Sequence, residues 1–223
     1  MTYEINADDA KKIFELKKYF SKGKRGLIYI SEYQDKKFTI KTKNPESFAN
    51  NTILREYENN KALNYYGVGP KIHYYNEKED YIIRDFVDGE PFFLWLEKTN
   101  NKQKILNVIL DLIEQCKRMD DAMINKLEMN HPHKDLLIEY DKPVIIDFER
   151  CKKTIKPKNI TQLCQFISSS TMNLELRKKG VRLEKKRIIQ LAENYKRENE
   201  KEKYLEKIKK EIKDAFMQHP SSS

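Results

Sequence analysis

A carboxylate at the end of an apolar strand is the sharpest chemical feature of this sequence. Pro143-Val144-Ile145-Ile146 leads into Asp147, followed by Phe148 and Glu149. Many strands end in aspartate, so the weight comes from what stands upstream in fixed order. Ser21-Lys22-Gly23-Lys24-Arg25-Gly26-Leu27-Ile28 places two glycines in a basic turn ahead of a strand. Lys41 closes the apolar stretch Phe38-Thr39-Ile40, 15 residues after Gly26. Glu56 follows within Ile53-Leu54-Arg55-Glu56-Tyr57, and then comes the run from Ile82 to Gly89. A carboxylate suits a hard cation, and a turn free of Cβ bulk and rich in positive charge suits a polyanion.

The patterning of the chain supplies elements for these groups. Residues 7–19, with Ile13, Phe14, Leu16 and Tyr19, predict a short leading helix. Leu27–Ile30 and Lys37–Lys41 predict two strands joined around Gln34-Asp35. Residues 46–65 have helical spacing, Gly67-Val68-Gly69-Pro70 interrupts it, and strands follow near 71–75 and 80–86. On the helix, Glu58 is a second candidate partner for Lys41, but it points about 200° away from Glu56, so only one of the two can face the lysine. Helical patterning resumes at 91–98 and 101–121. An irregular loop (125–135), a hairpin around Tyr140–Pro143 and a helix starting near Asn159, a candidate N-cap, come next. Leu205, Ile208, Ile212 and Phe216 form a late apolar stripe, read first as a terminal helix packed on its own domain and alternatively as a partner-binding helix. Strands at the front and helices at the back predict an α+β, two-lobed arrangement, with lobes at 1–88 and 89–218 and a disordered tail at 219–223.

The chain has 223 residues, 35% charged and 39% hydrophobic, enough for one large or one two-lobed domain. It has no long apolar run and no signal-peptide pattern, so no membrane contact is expected. Cys116, Cys151 and Cys164 are odd in number and far apart. That argues against a disulfide framework or zinc site and for a reducing cytoplasm. The net charge of +9 could attract RNA or another polyanion. Lysines and glutamates nevertheless interleave through 175–214, as on solvated helix faces.

Taken together, the order of glycine hairpin, strand lysine, helix glutamate, hinge and strand-end aspartate resembles the protein kinase superfamily from about residue 18 to residue 170. Within it, the chain looks most like the archaeal predicted serine/threonine kinases related to the RIO-type kinases and the kinase subunit of the tRNA threonylcarbamoylation complex. The resemblance implies a two-lobed kinase-like fold, with a small antiparallel sheet lobe carrying one helix and a mostly helical second lobe. It implies ATP and Mg²⁺ as cofactors. Gly23, Gly26 and Ile28 fill places in the glycine-rich motif, with Ser21 replacing its first glycine. Lys41 and Glu56 become the phosphate-binding pair, and backbone groups from Asp85 to Val87 contact adenine. Asp147 becomes the Mg²⁺ ligand, with Phe148 matching the family pattern and Glu149 standing where glycine is usual.

The catalytic loop departs from the pattern. In one alignment His133-Lys134-Asp135 is the family's acid-bearing triplet, which leaves 12 residues to Asp147 and puts Tyr140 where Asn is expected. In the other, Glu128 is the acid, 19 residues before Asp147, and Asp135 is a second metal ligand. Lys126 then replaces the family His, and Lys134 could reach the γ-phosphate. The implied activity is transfer of the γ-phosphate of ATP to a hydroxyl, most simply Ser/Thr of an unidentified protein. A nucleotide-binding scaffold docking on RNA or a ribonucleoprotein is the alternative. A small-molecule kinase of the aminoglycoside phosphotransferase sort is a third reading, disfavoured by the Lys-rich chain after Asp147.

Overall fold

Residues 5–197 and 200–218 are described by the structure, a computed structural model, so the tail expected at 219–223 lies outside the described residues. The fold is α+β, and the chain divides into two compact units. The first holds the residues through Asp88 and, from much later in the chain, Val144–Cys151. The second holds Gly89–Pro143 and the chain from Lys152 onward.

The first unit opens with α1 (Ala7–Glu15), capped by the Asn6 side chain, which accepts from the Asp9 amide at 2.9 Å. The helix is shorter than expected: residues from Lys18 onward pair with the next strand instead, an arrangement that suits Tyr19 and Phe20. Strands β1 (Lys18–Lys22), β2 (Gly26–Tyr33), β3 (Lys36–Lys43), β4 (Ile72–Asn76) and β5 (Tyr81–Asp85) form one antiparallel sheet in the order β1-β2-β3-β5-β4. Gln34 and Asp35 both have positive φ, as a two-residue hairpin between β2 and β3 requires. Helix α2 (Thr52–Tyr65) packs on β3, β4 and β5.

Pleat alternation divides that sheet into two faces. Phe38 and Ile40 of β3 and Tyr81 and Ile83 of β5 lie on one face, buried with Ala10 and Ile13 of α1. The register pairs Lys41 with Ile28 and Ile82, and Thr39 with Ile30 and Arg84, so these residues share the opposite face.

Beyond that sheet, β6 (Glu90–Pro91), β8 (Leu136–Glu139) and β9 (Lys142–Ile145) form a three-stranded sheet, and β7 (Ile124–Lys126) pairs with β10 (Cys151–Lys153). The helices of the second unit are α3 (Phe92–Lys98), α4 (Lys102–Asp121), α5 (Asn159–Ile167), α6 (Ser170–Lys178), α7 (Lys185–Arg197) and α8 (Lys201–Met217). The stripe Leu205, Ile208, Ile212 and Phe216 is buried, with α8 packed on α4 and α7. Among the described residues, no helix is long and apolar enough to cross a membrane.

Candidate functional site

Helix α2 buries Ile53, Glu56, Asn60 and Leu63, spaced three or four apart along one face. That phase turns Glu56 inward, fully buried, and leaves Glu58 exposed. Glu56 meets two cations from the sheet: Lys41 Nζ donates to Oε2, and Arg84 Nη1 donates to Oε1 at 2.8 Å. Both cations are themselves buried. A carboxylate so far from water is tolerable only with such partners.

The strand-end segment Val144–Cys151 brings two more acids to the same lysine. Lys41 Nζ lies 3.3 Å from Asp147 Oδ1 and 3.5 Å from Glu149 Oε2. Arg25, in the hairpin turn, donates to Glu149 Oε1 at 2.7 Å. Three cations (Arg25, Lys41, Arg84) therefore interleave with three acids (Glu56, Asp147, Glu149). Burial opposes the charge on Lys41, and Arg84 adds to that opposition. Glu56 and Asp147 outweigh both and hold the ammonium pKa above the ordinary lysine value.

Asp147 has φ of 64°, the left-handed region that Asp tolerates better than most residues. Its neighbour anchors it there. Phe148 is fully buried, its carbonyl accepts from Asn59 Nδ2 at 2.9 Å, and its ring lies against Gly69. A Cβ on Gly69 would come within 2.5 Å of the Phe148 ring, and φ there is 78°. Two further asparagines of α2 hold the turn that carries Gly69. Asn60 Nδ2 donates to the Pro70 carbonyl at 2.9 Å, and Asn64 Oδ1 accepts from the Ile72 amide at 2.8 Å.

The hairpin turn is fixed by a residue that the sequence reading passed over. Asn44, buried at the end of β3, donates through Nδ2 to the carbonyls of Gly23 (3.2 Å) and Lys24 (3.3 Å), and its amide donates to Arg25 O at 2.9 Å. Gly23 N donates to Gly26 O at 2.8 Å, closing the turn. Gly26 has a packing reason for lacking a side chain, because a Cβ there would lie 2.7 Å from Cε of Lys41. The glycine makes room for the lysine. Ile28 stands half-buried on the Lys41 face.

At the expected hinge, the Asp85 amide donates to Lys71 O at 2.9 Å, and the Asp85 carboxylate lies 2.6 Å from His73 Nε2. Phe86 N donates to Lys37 O at 3.2 Å, and Val87 is half-buried.

Glu128 and Asp135 belong to the second unit. Glu128 has φ of 73°, a costly backbone for a residue with a long side chain. Lys126, buried where Glu128 is exposed, donates to Asp135 Oδ2 at 2.8 Å. His133 stacks on Phe93, with ring centroids 5.0 Å apart, and Lys134 is exposed. Asn159 is not an N-cap: it is the first residue of α5, after Lys158. Its Oδ1 accepts from Lys126 N at 2.9 Å, and its Nδ2 donates to Asp120 Oδ1 (2.8 Å) and Ile124 O (2.7 Å). The reason is competition: three partners around β7 and α4 outbid one local amide.

Oxygens of Glu56, Asp147 and Glu149 lie within 4.8 Å of one another, close enough to share a cation. Each oxygen of Glu56 and of Glu149 already faces a lysine or arginine. Asp147, 38% exposed, is the acid of the three best able to present an oxygen to an added ion. The arrangement can therefore offer an ammonium and a carboxylate side by side to a metal-bound anion. No known family model matches the chain, and no curated protein matches it either.

Proposed function

We propose that the chain is an ATP-dependent phosphotransferase of kinase-like, two-lobed build, acting on a Ser/Thr hydroxyl of a protein. One observation carries this reading. Lys41, fixed by the buried carboxylate of Glu56, is also reached by Asp147, a strand-end acid 106 residues further along the chain. In such a site Lys41 would hold phosphate oxygens, and Asp147 would hold a Mg²⁺ ion, which would supply charge neutralisation to the bound nucleotide. Fixed charges of this kind favour in-line transfer by positioning and electrostatics. The roles of Glu128 as acid and of Asp135 as second metal ligand, and of Asp85 and Val87 toward adenine, rest on the resemblance alone. The buried Cys116 and Cys164 thiols suit a reducing cytoplasm.

One observation favours a second reading. The Lys126 ammonium lies 2.8 Å from Oδ2 of Asp135, so the proposed second metal ligand is already paired with a cation. A protein so built could bind nucleotide, transfer poorly and act as a scaffold, docking on RNA through its basic surface. Incubation with γ-labelled ATP, Mg²⁺ and a generic acceptor protein, beside Asp147→Ala, separates the readings. Label transferred by wild type and lost in the variant supports the phosphotransferase. Nucleotide-dependent thermal stabilisation without transfer, together with RNA retention that falls steeply with salt, supports the scaffold. Neither signal rejects both.

A further inference from the structure

Glu149 stands where the resemblance calls for glycine, and the structure gives it definite work. Its carboxylate is 8% exposed and spans two elements that are far apart in sequence. Oε1 takes the guanidinium of Arg25 at 2.7 Å, and Oε2 lies 3.5 Å from the ammonium of Lys41. Arg25 sits in the Gly23–Gly26 turn, and Glu149 lies two residues past Asp147. The pair therefore ties the hairpin turn to the strand end that carries the candidate metal ligand. Asn44 holds the turn from its own strand through the backbone, whereas Glu149 holds it from the other side through a charge.

We propose that Glu149 is a positioning residue, which through Arg25 clamps the hairpin turn beside Lys41 and Asp147 and thereby sets the affinity for ATP. The second half of this proposal rests on the phosphotransferase reading; the clamp itself does not. With the clamp engaged, the turn's backbone is held close to the phosphate site before nucleotide arrives, so less ordering accompanies binding. The chemical step uses Lys41 and Asp147, so the clamp acts on KM more than on kcat.

Limited trypsin digestion tests the clamp without reference to activity, by following cleavage after Lys22, at a bond whose two residues every variant retains. Arg25→Ala and Glu149→Ala are each expected to speed this cleavage by roughly 3- to 10-fold, the range for coupled residues whose contact is partly solvated. The double variant should be no faster than the faster single, and the exchange Arg25→Glu with Glu149→Arg should restore protection. Glu149→Gln, of nearly the same volume, replaces Glu149→Ala if that variant does not fold. In the same proteins KM for ATP should rise by a similar factor, and by more than kcat falls. Unchanged cleavage in the Glu149 variant, or effects that multiply in the double variant, would overturn the clamp. A fall in kcat at constant KM would overturn its role in ATP affinity. If cleavage behaves as expected but no variant and no wild-type protein binds ATP, the clamp stands and the phosphotransferase reading fails.

Discussion

In the first unit the buried acid Glu56 is met by two cations, Lys41 and Arg84; in the second the buried acid Asp120 is met by neutral donors. Asp120 Oδ1 accepts from the Asn159 amide at 3.0 Å and from Asn159 Nδ2 at 2.8 Å, and Oδ2 accepts from the Tyr195 hydroxyl at 3.2 Å. The two solutions have different electrostatic results. The ion network holds the pKa of Lys41 up, keeping its charge. Around Asp120, burial outweighs the hydrogen bonds and raises the carboxyl pKa, so its charge is disfavoured. Burial and the same acid push the Cys164 thiol up to about 12 and raise the Tyr195 hydroxyl as well. A network of fixed charges that reaches a partly exposed carboxylate is equipped for charged ligands. An acid enclosed by neutral donors pins α4, α5 and α7 together, and its partner Asn159 holds β7 in place.

The contrast breaks if the two acids are interchangeable in their effects. Asp120→Ala is expected to cost about 3–5 kcal/mol in denaturant unfolding, because it strands several buried donors at once. It should leave ATP transfer per folded molecule nearly intact. Asp147→Ala should do the reverse, cutting transfer by roughly 10²–10³-fold with a stability change under about 1 kcal/mol, since that side chain is 38% exposed. A large stability loss in Asp147→Ala, or lost transfer in folded Asp120→Ala, would erase the distinction.

A pair of glycine substitutions sharpens the account of how Asp147 is anchored. Gly67 and Gly69 both have positive φ, but a Cβ on Gly67 would meet nothing within 4 Å, whereas one on Gly69 would strike the Phe148 ring. Gly67→Ala should cost about 1 kcal/mol for the backbone alone. Gly69→Ala adds overpacking and should reach about 2–4 kcal/mol, with transfer impaired as Phe148 shifts. Equal costs in thermal or denaturant unfolding would mean that Phe148 yields easily and does not anchor the aspartate.

The smallest effect is a difference in pH dependence. Because the folded-state pKa of Asp120 is raised, the folded protein holds this proton more tightly than the unfolded chain does. Its favourable contribution is complete below the ordinary value of 3.8 and is lost as pH rises through the raised value. Stability of wild type relative to Asp120→Asn should therefore decline across that window. Lys41, raised above its ordinary 10.5, contributes fully below that value, and its contribution is lost only as pH climbs through the raised one. It should give no slope between about pH 4 and 8. A difference between wild type and Asp120→Asn that is flat in the acid range would remove the assigned shift.

Much of the first unit was legible because its elements are local. Alternation in β3 and the run through β5 mark strands, and Gly67-Val68-Gly69-Pro70 marks the break after α2. The helical period alone left a choice between Glu56 and Glu58, with one facing inward; packing selects Glu56, in line with Ile53, Asn60 and Leu63. The start of the chain was harder, since Leu16, Tyr19 and Phe20 carry side chains that serve a helix or a strand. Pairing of β1 with β2 decides that stretch, and no local pattern encodes it. Asn159 shows the same limit, because an asparagine at a helix start reads as a cap until partners from 33 to 39 residues upstream are known.

By itself the sequence determined the order of the chemical groups and the periods that orient them, because strand and helix geometry act over two to four residues. Only the tertiary structure decided their partners. Arg84 on Glu56, Arg25 on Glu149, Asn44 on the hairpin turn and Lys126 on Asp135 are side-chain meetings made by sheet register and chain return. Arg25 and Glu149 lie 124 residues apart. Whether a buried charge is left costly or made useful depends on which opposite charge the fold brings within about 3 Å of it, and that distance has no local signature.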